Sequence, residues 1–346
     1  AGKMAVVSSL LGRLSRQNRA MYPRALILLA LLAGLFACGS ERVLQGQISV
    51  ASMEDGDWEI YLINVEEMRA FRLSENRAYD SGLVWSPDGR SYVRTTEWVS
   101  GEIRELVTAG EDGVPQVEIT EVTGDRELLW TNLDGTEQFL TENDVPDESP
   151  AWSPDGNQIA FVSALTEDYE IHVMDADSSN VRRLTVSPRE DWQPSWSPDG
   201  KHIVFASLRT GDWEIYVMDS DGANVRQLTE SPGADWTPEW SPDGQRIVFA
   251  SNRTPDGIEV TDEAVVDNPE TSTWDIYVMN RDGSSVKRLT DAPGSDIEPT
   301  WSPDGKYLAF ASDRSGPLEV YVMNADGSNQ EGLNWSGIPS EWTDFD

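Results

Sequence analysis

The stretch WSPDGKHIVFASLRTGDWEIYVMDSDGANVRQLT, from Trp196 to Thr229, holds the pattern on which most of the chain is built. Pro198-Asp199-Gly200 reads as a tight turn: proline presets φ, glycine accepts a positive φ, and the aspartate bonds local backbone. The segment KHIVFAS that follows is rich in β-branched and aromatic residues and reads as a strand. EIYVMD, from Glu214, reads as the next strand, and an Asp221-Gly222 turn leads into a third, NVRQLT. A further short strand over Pro194–Trp196, ahead of the turn, brings the unit to four.

This unit recurs. WSPDG stands five times, with its tryptophan at Trp85, Trp152, Trp196, Trp240 and Trp301, and a worn copy begins at Trp342. Successive spacings are 67, 44, 44, 61 and 41, so two units carry insertions. The second string keeps phase with the first: EIHVMDADSSNVRRLT from Glu170, DIYVMNRDGSSVKRLT from Asp275, EVYVMNADGSNQEGL from Glu319 and a weaker ELLWTNLDGTEQFLT from Glu127. Four strands in each repeat of about 40–45 residues is the signature of a β-propeller blade. Gln47–Ser52 matches the second strand of a blade and the segment from Asp57 the third, while Pro339–Asp346 matches only a first strand. Joined, they complete one blade and remove two sheet edges. The expectation is an all-β, six-bladed propeller of four-stranded antiparallel blades over residues 47–346, closed by pairing the N- and C-terminal strands in one blade.

Composition agrees and narrows the function. The chain of 346 residues has 26 Lys and Arg against 61 Asp and Glu, a formal charge of −35. Nucleic-acid binding needs a basic face and is excluded. Hydrophobic residues make up 38% and there are 14 tryptophans, too many for a disordered acidic chain. The single cysteine rules out an intrachain disulfide, and two histidines cannot build a histidine-rich metal centre.

Charge is uneven along the chain. Residues 1–37 hold five basic residues and no acidic one, which leaves 21 basic against 61 acidic, or −40, beyond them. ALILLALLAGLFA, Ala25–Ala37, is 13 residues long. That is short of the roughly 20 a membrane span needs, and it reads as the apolar core of a signal peptide flanked by Arg24. Residues 1–37 are therefore expected to be a signal peptide, with Met21 as a candidate start. Residues 38–46 are expected to form a short tether. Cys38 directly after the apolar run resembles the lipidated cysteine of a bacterial lipoprotein. The alternative is an ordinary signal peptide with an incidental cysteine. Either way the protein is expected to be exported, to the periplasm or cell surface.

WSPDG followed by IYVMxxDGxxxxxLT resembles the WD-like repeat of the TolB propeller family. That resemblance implies a six-bladed propeller in the bacterial cell envelope that binds proteins. TolB itself is a periplasmic protein that contacts the peptidoglycan-associated lipoprotein and carries an N-terminal α/β domain, whose pattern is not expected in this sequence. Related propellers front prolyl-oligopeptidase-type enzymes, but no G-x-S-x-G nucleophile elbow occurs here. No catalytic residue is assigned. The expected role is a monomeric propeller that binds an envelope protein or peptide with basic groups and touches the membrane only through its anchor. The alternative is a glycan-binding or lyase-type propeller with a site at the channel mouth.

Candidate binding residues follow from the repeat. Five residues before each motif tryptophan stands Asp80, Asp147, Asp191, Asp235 or Asp296, with Gly337 at the sixth. First strands line a propeller's channel, so these carboxylates are expected near its mouth, as a cation site or a clamp for basic groups. Alternatively, each caps its loop or pairs with an arginine of the A-S-x-R segments, Arg209, Arg253 or Arg314. Trp58, Trp213 and Trp274 precede third strands, and Trp192 and Trp236 enter first strands. They read as an aromatic rim for a partner or a sugar, or else as packing between blades. The variable loops should lie on this face. One insertion, between Thr96 and Glu127, reads as an extra hairpin around Gly110–Gly113, and the other, Thr254–Thr273, is acidic throughout. No metal ligand set and no cofactor is assigned, a divalent cation such as calcium being the alternative. DSDGAN and NADGSN open like calcium loops but lack the glutamate at position 12, and read as turns. His172 and His202 share no motif and read as packing or surface residues.

Overall fold

The computed structural model describes residues 45–53, 58–74, 80–109, 115–166, 168–253 and 273–344. Cys38, the leader and the acidic segment 254–272 lie outside the described residues. Within them are six four-stranded antiparallel sheets and no helix.

Five blades follow one another along the chain. Their innermost strands are Asp80–Trp85, Asp147–Trp152, Asp191–Trp196, Asp235–Trp240 and Asp296–Trp301. The sixth sheet joins Ile338–Thr343 to Gln47–Ser52, then Glu59–Asn64 and Arg69–Arg72. Its register pairs Gln47 with Thr343 and Ile48 with Trp342. Innermost strands of successive blades touch, and the sixth touches the first. The ring is closed by the two-ended blade that the sequence predicts.

Two strand lengths differ from expectation. The first strand runs six residues, from the aspartate to the tryptophan, and not only over P-x-W. The outermost strand of the third and fourth blades shrinks to two residues, Arg226–Gln227 and Lys287–Arg288. Having a neighbour on one side only, it hands its Leu-Thr tail back to the third strand: Leu228 N–H donates to Ile215 O at 2.7 Å, and the Thr229 hydroxyl accepts from Ile215 N–H at 2.8 Å. The insertion after Thr96 extends the two middle strands of the first blade into a long hairpin, Ser91–Ala109 against Pro115–Asn132, with Ala109 opposite Pro115.

The core lies between blades. Second strands such as His202–Ser207 are buried at every residue after the first, because each sheet is covered on both faces by its neighbours. Val204, Ile215 and Val217 of the third blade pack with Trp240, Ile247 and Phe249 of the fourth. The turns of the repeat serve the same seams. A Cβ placed on Gly244 would sit 3.6 Å from Pro198, the proline of the preceding blade's own Pro-Asp-Gly turn. At the Asp-Gly turn between third and fourth strands the approach is closer: a Cβ on Gly283 would meet the Leu228 carbonyl of the preceding blade at 2.6 Å, and Gly222 and Gly327 repeat the contact. Only glycine lets the blades dock this closely at a φ of +89°.

Candidate functional site

The six first strands surround a channel enclosing a cavity of about 730 Å³. It runs from Trp58, Trp213 and Trp274 at the variable-loop end to Ser86, Pro87 and Pro154 at the turn end. A bulge bends each first strand at the same place; in the fourth blade the register slips between Trp236 and Glu239. In the first five blades its pivot is a left-handed residue three before the motif tryptophan: Gly82 has a φ of +59°, and Ser149, Gln193, Thr237 and Glu298 lie between +50° and +55°. For a β-branched threonine that backbone is strained. Bulges of this kind re-aim side chains, and here the pivot residues line the channel.

All five candidate tryptophans line the cavity. Tyr169, Trp192, Trp236 and Trp213 form a continuous aromatic wall, with centroids 4.6 Å apart for Tyr169 and Trp192, 6.5 Å for Trp192 and Trp236, and 4.3 Å, edge to face, for Trp236 and Trp213. These rings also pack blades together, since Trp192 and Trp213 are almost wholly buried in the cluster joining the third and fourth blades.

The aspartates do something different. Asp80, Asp147, Asp191, Asp235 and Asp296 are at most 1% exposed, and none is among the residues lining the cavity. The ring of carboxylates expected at the mouth is replaced by separate buried clusters, one inside each blade. Arg209 reaches Asp191 at 2.9 Å, Arg253 reaches Asp235 at 2.5 Å and Arg314 reaches Asp296 at 2.8 Å. The preceding serines donate to two of the same carboxylates, Ser207 to Asp191 and Ser251 to Asp235. Each guanidinium lies over the blade's own aromatic pair; for Arg209 the Phe205 and Tyr216 rings are 5.3 and 4.7 Å away. The A-S-x-R arginine, arriving at the end of the second strand, neutralises the buried aspartate with a charge-assisted bond. In the first blade Arg94 takes this place, 3.3 Å from Asp80. The second blade has Leu165 where the third, fourth and fifth have arginine, so Asp147 keeps Asn143 at 2.7 Å, and burial pushes its carboxyl up.

A second acid belongs to this framework. Glu214, which opens the third strand of its blade, accepts from the Thr229 hydroxyl at 2.6 Å and from Ser231 N–H at 2.9 Å. Burial, with the neighbouring Asp235 of the next blade, pushes it up to about 7. The repeated strand-three acid and Leu-Thr are thus halves of one buried bond.

The residues the repeat does not advertise are three glutamates of the channel wall. One position before the motif tryptophan, the first three blades carry Val84, Ala151 and Ser195, and the others Glu239, Thr300 and Glu341. Glu239 accepts from Trp301 N–H of the next blade at 3.1 Å, and Glu341 from Trp85 N–H at 2.6 Å. Burial pushes Glu239 up to about 8, the charge of Glu341 adding to it, and Glu341 up to about 7. Glu298, a bulge pivot, is raised to about 7 by burial alone. The lining residues of the opposite side include Arg126, already paired with Glu148 at 2.7 Å. Three of the five carboxylates that line the channel therefore fall on its fourth, fifth and sixth blades, and its one lining arginine on the first. Neither histidine lines it; His172 is buried against Phe161 at 5.7 Å. Among the described residues no three His, Cys, Asp or Glu side chains are grouped to share a metal ion.

The TolB β-propeller domain family matches this chain over residues 125–257 and 254–343. A Tol-Pal system protein TolB from Bordetella pertussis is 42% identical over 55 residues, 16% of this chain and 13% of that protein, so the match spans about an eighth of this relative's length. The solved TolB of Acinetobacter baumannii superposes with a TM-score of 0.64 at 18% identity, over 86% of this chain and 66% of that one. An oligogalacturonate lyase in complex with manganese superposes with a TM-score of 0.53 at 15% identity, over 83% and 73%. At these identities the structural likenesses establish the fold alone. With the family matched across more than half of its length, the chain belongs to the TolB β-propeller domain family.

Proposed function

We propose that this chain is an exported propeller, anchored through lipidated Cys38, that binds a protein or peptide of the bacterial envelope in its central channel. The observation that carries this reading is the tryptophan-walled cavity along the axis. Rigid aromatics supply large contact area at low entropic cost, and their arrangement suits an inserted loop or chain end. The name of the Bordetella relative, a Tol-Pal system protein, agrees with an envelope role.

The test is affinity capture from envelope extract with the wild-type chain and a Trp58→Ala/Trp274→Ala double variant. Both tryptophans are only partly buried, so the variant is expected to fold. Partners held by the wild type should be lost; an unchanged partner list would overturn the assignment of the channel. Anchoring is tested separately: Cys38→Ser should move the protein from the membrane fraction to the soluble periplasm, and a variant that stays membrane-bound would refute it.

A further inference from the structure

Among the carboxylates that line the cavity, Glu298 stands apart. Glu148 is paired with Arg126, Asp212 accepts from Trp213 N–H, and Glu239 and Glu341 each hold a backbone N–H across a blade seam. Glu298 has no hydrogen bond or ion pair to any described residue, although it is largely enclosed. At the equivalent bulge position of the neighbouring blade is Thr237, 7% exposed, whose buried hydroxyl also lacks a partner. Buried polar groups are normally satisfied, and both residues are held in left-handed backbone that aims them at the channel. The two stand at equivalent bulge positions of adjacent first strands, and the unpaired carboxylate of Glu298 is the group that a ligand cation would satisfy.

We propose that Glu298 is the specificity residue of the cavity and receives the ammonium or guanidinium of a lysine or arginine side chain of the bound partner. This rests on the peptide-binding reading above. One residue toward the rim, Trp236 and Ile297 line the cavity and offer apolar walls to the side chain's stem. Glu239 and Glu341, on the strands that flank that of Glu298, are engaged by backbone N–H groups across the seams and are not spent as ligands. A divalent ion fits less well. Calcium takes about six to eight oxygens, and these acids are not grouped to share one ion.

The test selects peptides from a random 12-residue display library against the full chain. Wild type should enrich peptides with Lys or Arg at one shared position. Replacing that residue by norleucine in a synthetic peptide should weaken binding about ten-fold or more, and Glu298→Gln should weaken the basic peptide by a similar factor. The norleucine peptide should bind both proteins equally. Glu298→Gln should melt at or above the wild-type temperature, which separates lost recognition from lost folding. Peptides that bind through the channel without a shared basic residue, or a double-mutant coupling below about two-fold, would overturn this proposal and leave the peptide-binding reading standing. A calcium chloride titration that raises the melting temperature of wild type but not of Glu298→Gln would overturn it in favour of an inorganic cation. If no selected peptide is sensitive to Trp58→Ala/Trp274→Ala, both readings fall.

Discussion

Replacing Glu239 by glutamine removes a carboxyl that the fold holds mostly protonated at neutral pH. Its folded value is about 8, against 4.5 for a free glutamate. The folded state therefore binds a proton that the unfolded state has released, and stability is lost as pH rises from the ordinary value toward 8. Between about pH 5 and about pH 7 the full linkage is near 2 kcal/mol; screening by water in the channel leaves about 1–2 kcal/mol for this residue. Glutamine keeps the Oε1 acceptor for Trp301 N–H and the Thr300 hydroxyl and does not ionise. It also relieves the repulsion from Glu341, the other acid acting on this site. Guanidinium unfolding, followed by tryptophan fluorescence at pH 5, 6, 7 and 8, measures the effect. The variant should match wild type at the acid end and exceed it by about 1–2 kcal/mol at the alkaline end. Parallel pH curves, or a variant less stable at pH 8, would show that Glu239 is ionised and solvated in the folded channel.

Three further outcomes follow from the buried pairs and seams. Arg253→Ala strands the Asp235 carboxylate at 0% exposure and should cost about 3 kcal/mol in chemical denaturation, more at pH 7 than at pH 4. A loss within 0.5 kcal/mol at neutral pH would mean that Ser251 alone satisfies the site. Leu165→Arg installs the arginine that the second blade lacks. Leu165 N–H already meets Ser163 Oγ at 3.3 Å, as Arg209 N–H meets Ser207 Oγ, so the backbone is in place. Stability should rise by about 1 kcal/mol at pH 7, fading in acid as Asp147 protonates, and no gain would count against the pairing rule. Gly283→Ala drives a methyl into the Leu228 carbonyl of the preceding blade and should cost about 2 kcal/mol; a neutral result in thermal melts would refute the close seam.

The sequence was most informative where one residue type recurs in phase. The five tryptophans and their Pro-Asp-Gly turns mark the blades, and the half-blades at Gln47 and Pro339 announce the closure. The aspartates were visible, and so were their arginines, yet periodicity alone could not say which way a carboxylate turns. All five turn inward, whether the second strand ends in arginine, as at Arg209, or in leucine, as at Leu165; that residue decides only whether the buried carboxylate has a cationic partner. Glu239, Glu298 and Glu341 went unread because they fill positions that vary from blade to blade. The signal was present: aligning the copies and asking where they disagree most on the channel-facing strand gives the positions one, three and four before each tryptophan, and the three glutamates fall on the first two of these. What no alignment of copies supplies is the bulge. Its left-handed pivot falls on glycine, serine, glutamine, threonine and glutamate, residues with no shared preference for that backbone.

The sheet that joins Gln47–Ser52 to Ile338–Thr343 has a consequence for the chain as a path. Where the first and last described strands lie hydrogen-bonded side by side, the topology is that of a circle, and the peptide bond at which it is opened is arbitrary. A short linker across that sheet, with a new break in any Pro-Asp-Gly turn, would leave every strand with the same neighbours and the channel wall with the same order of side chains. The site is thus a property of the cyclic order of the blades, and the linear order of the chain is incidental to it.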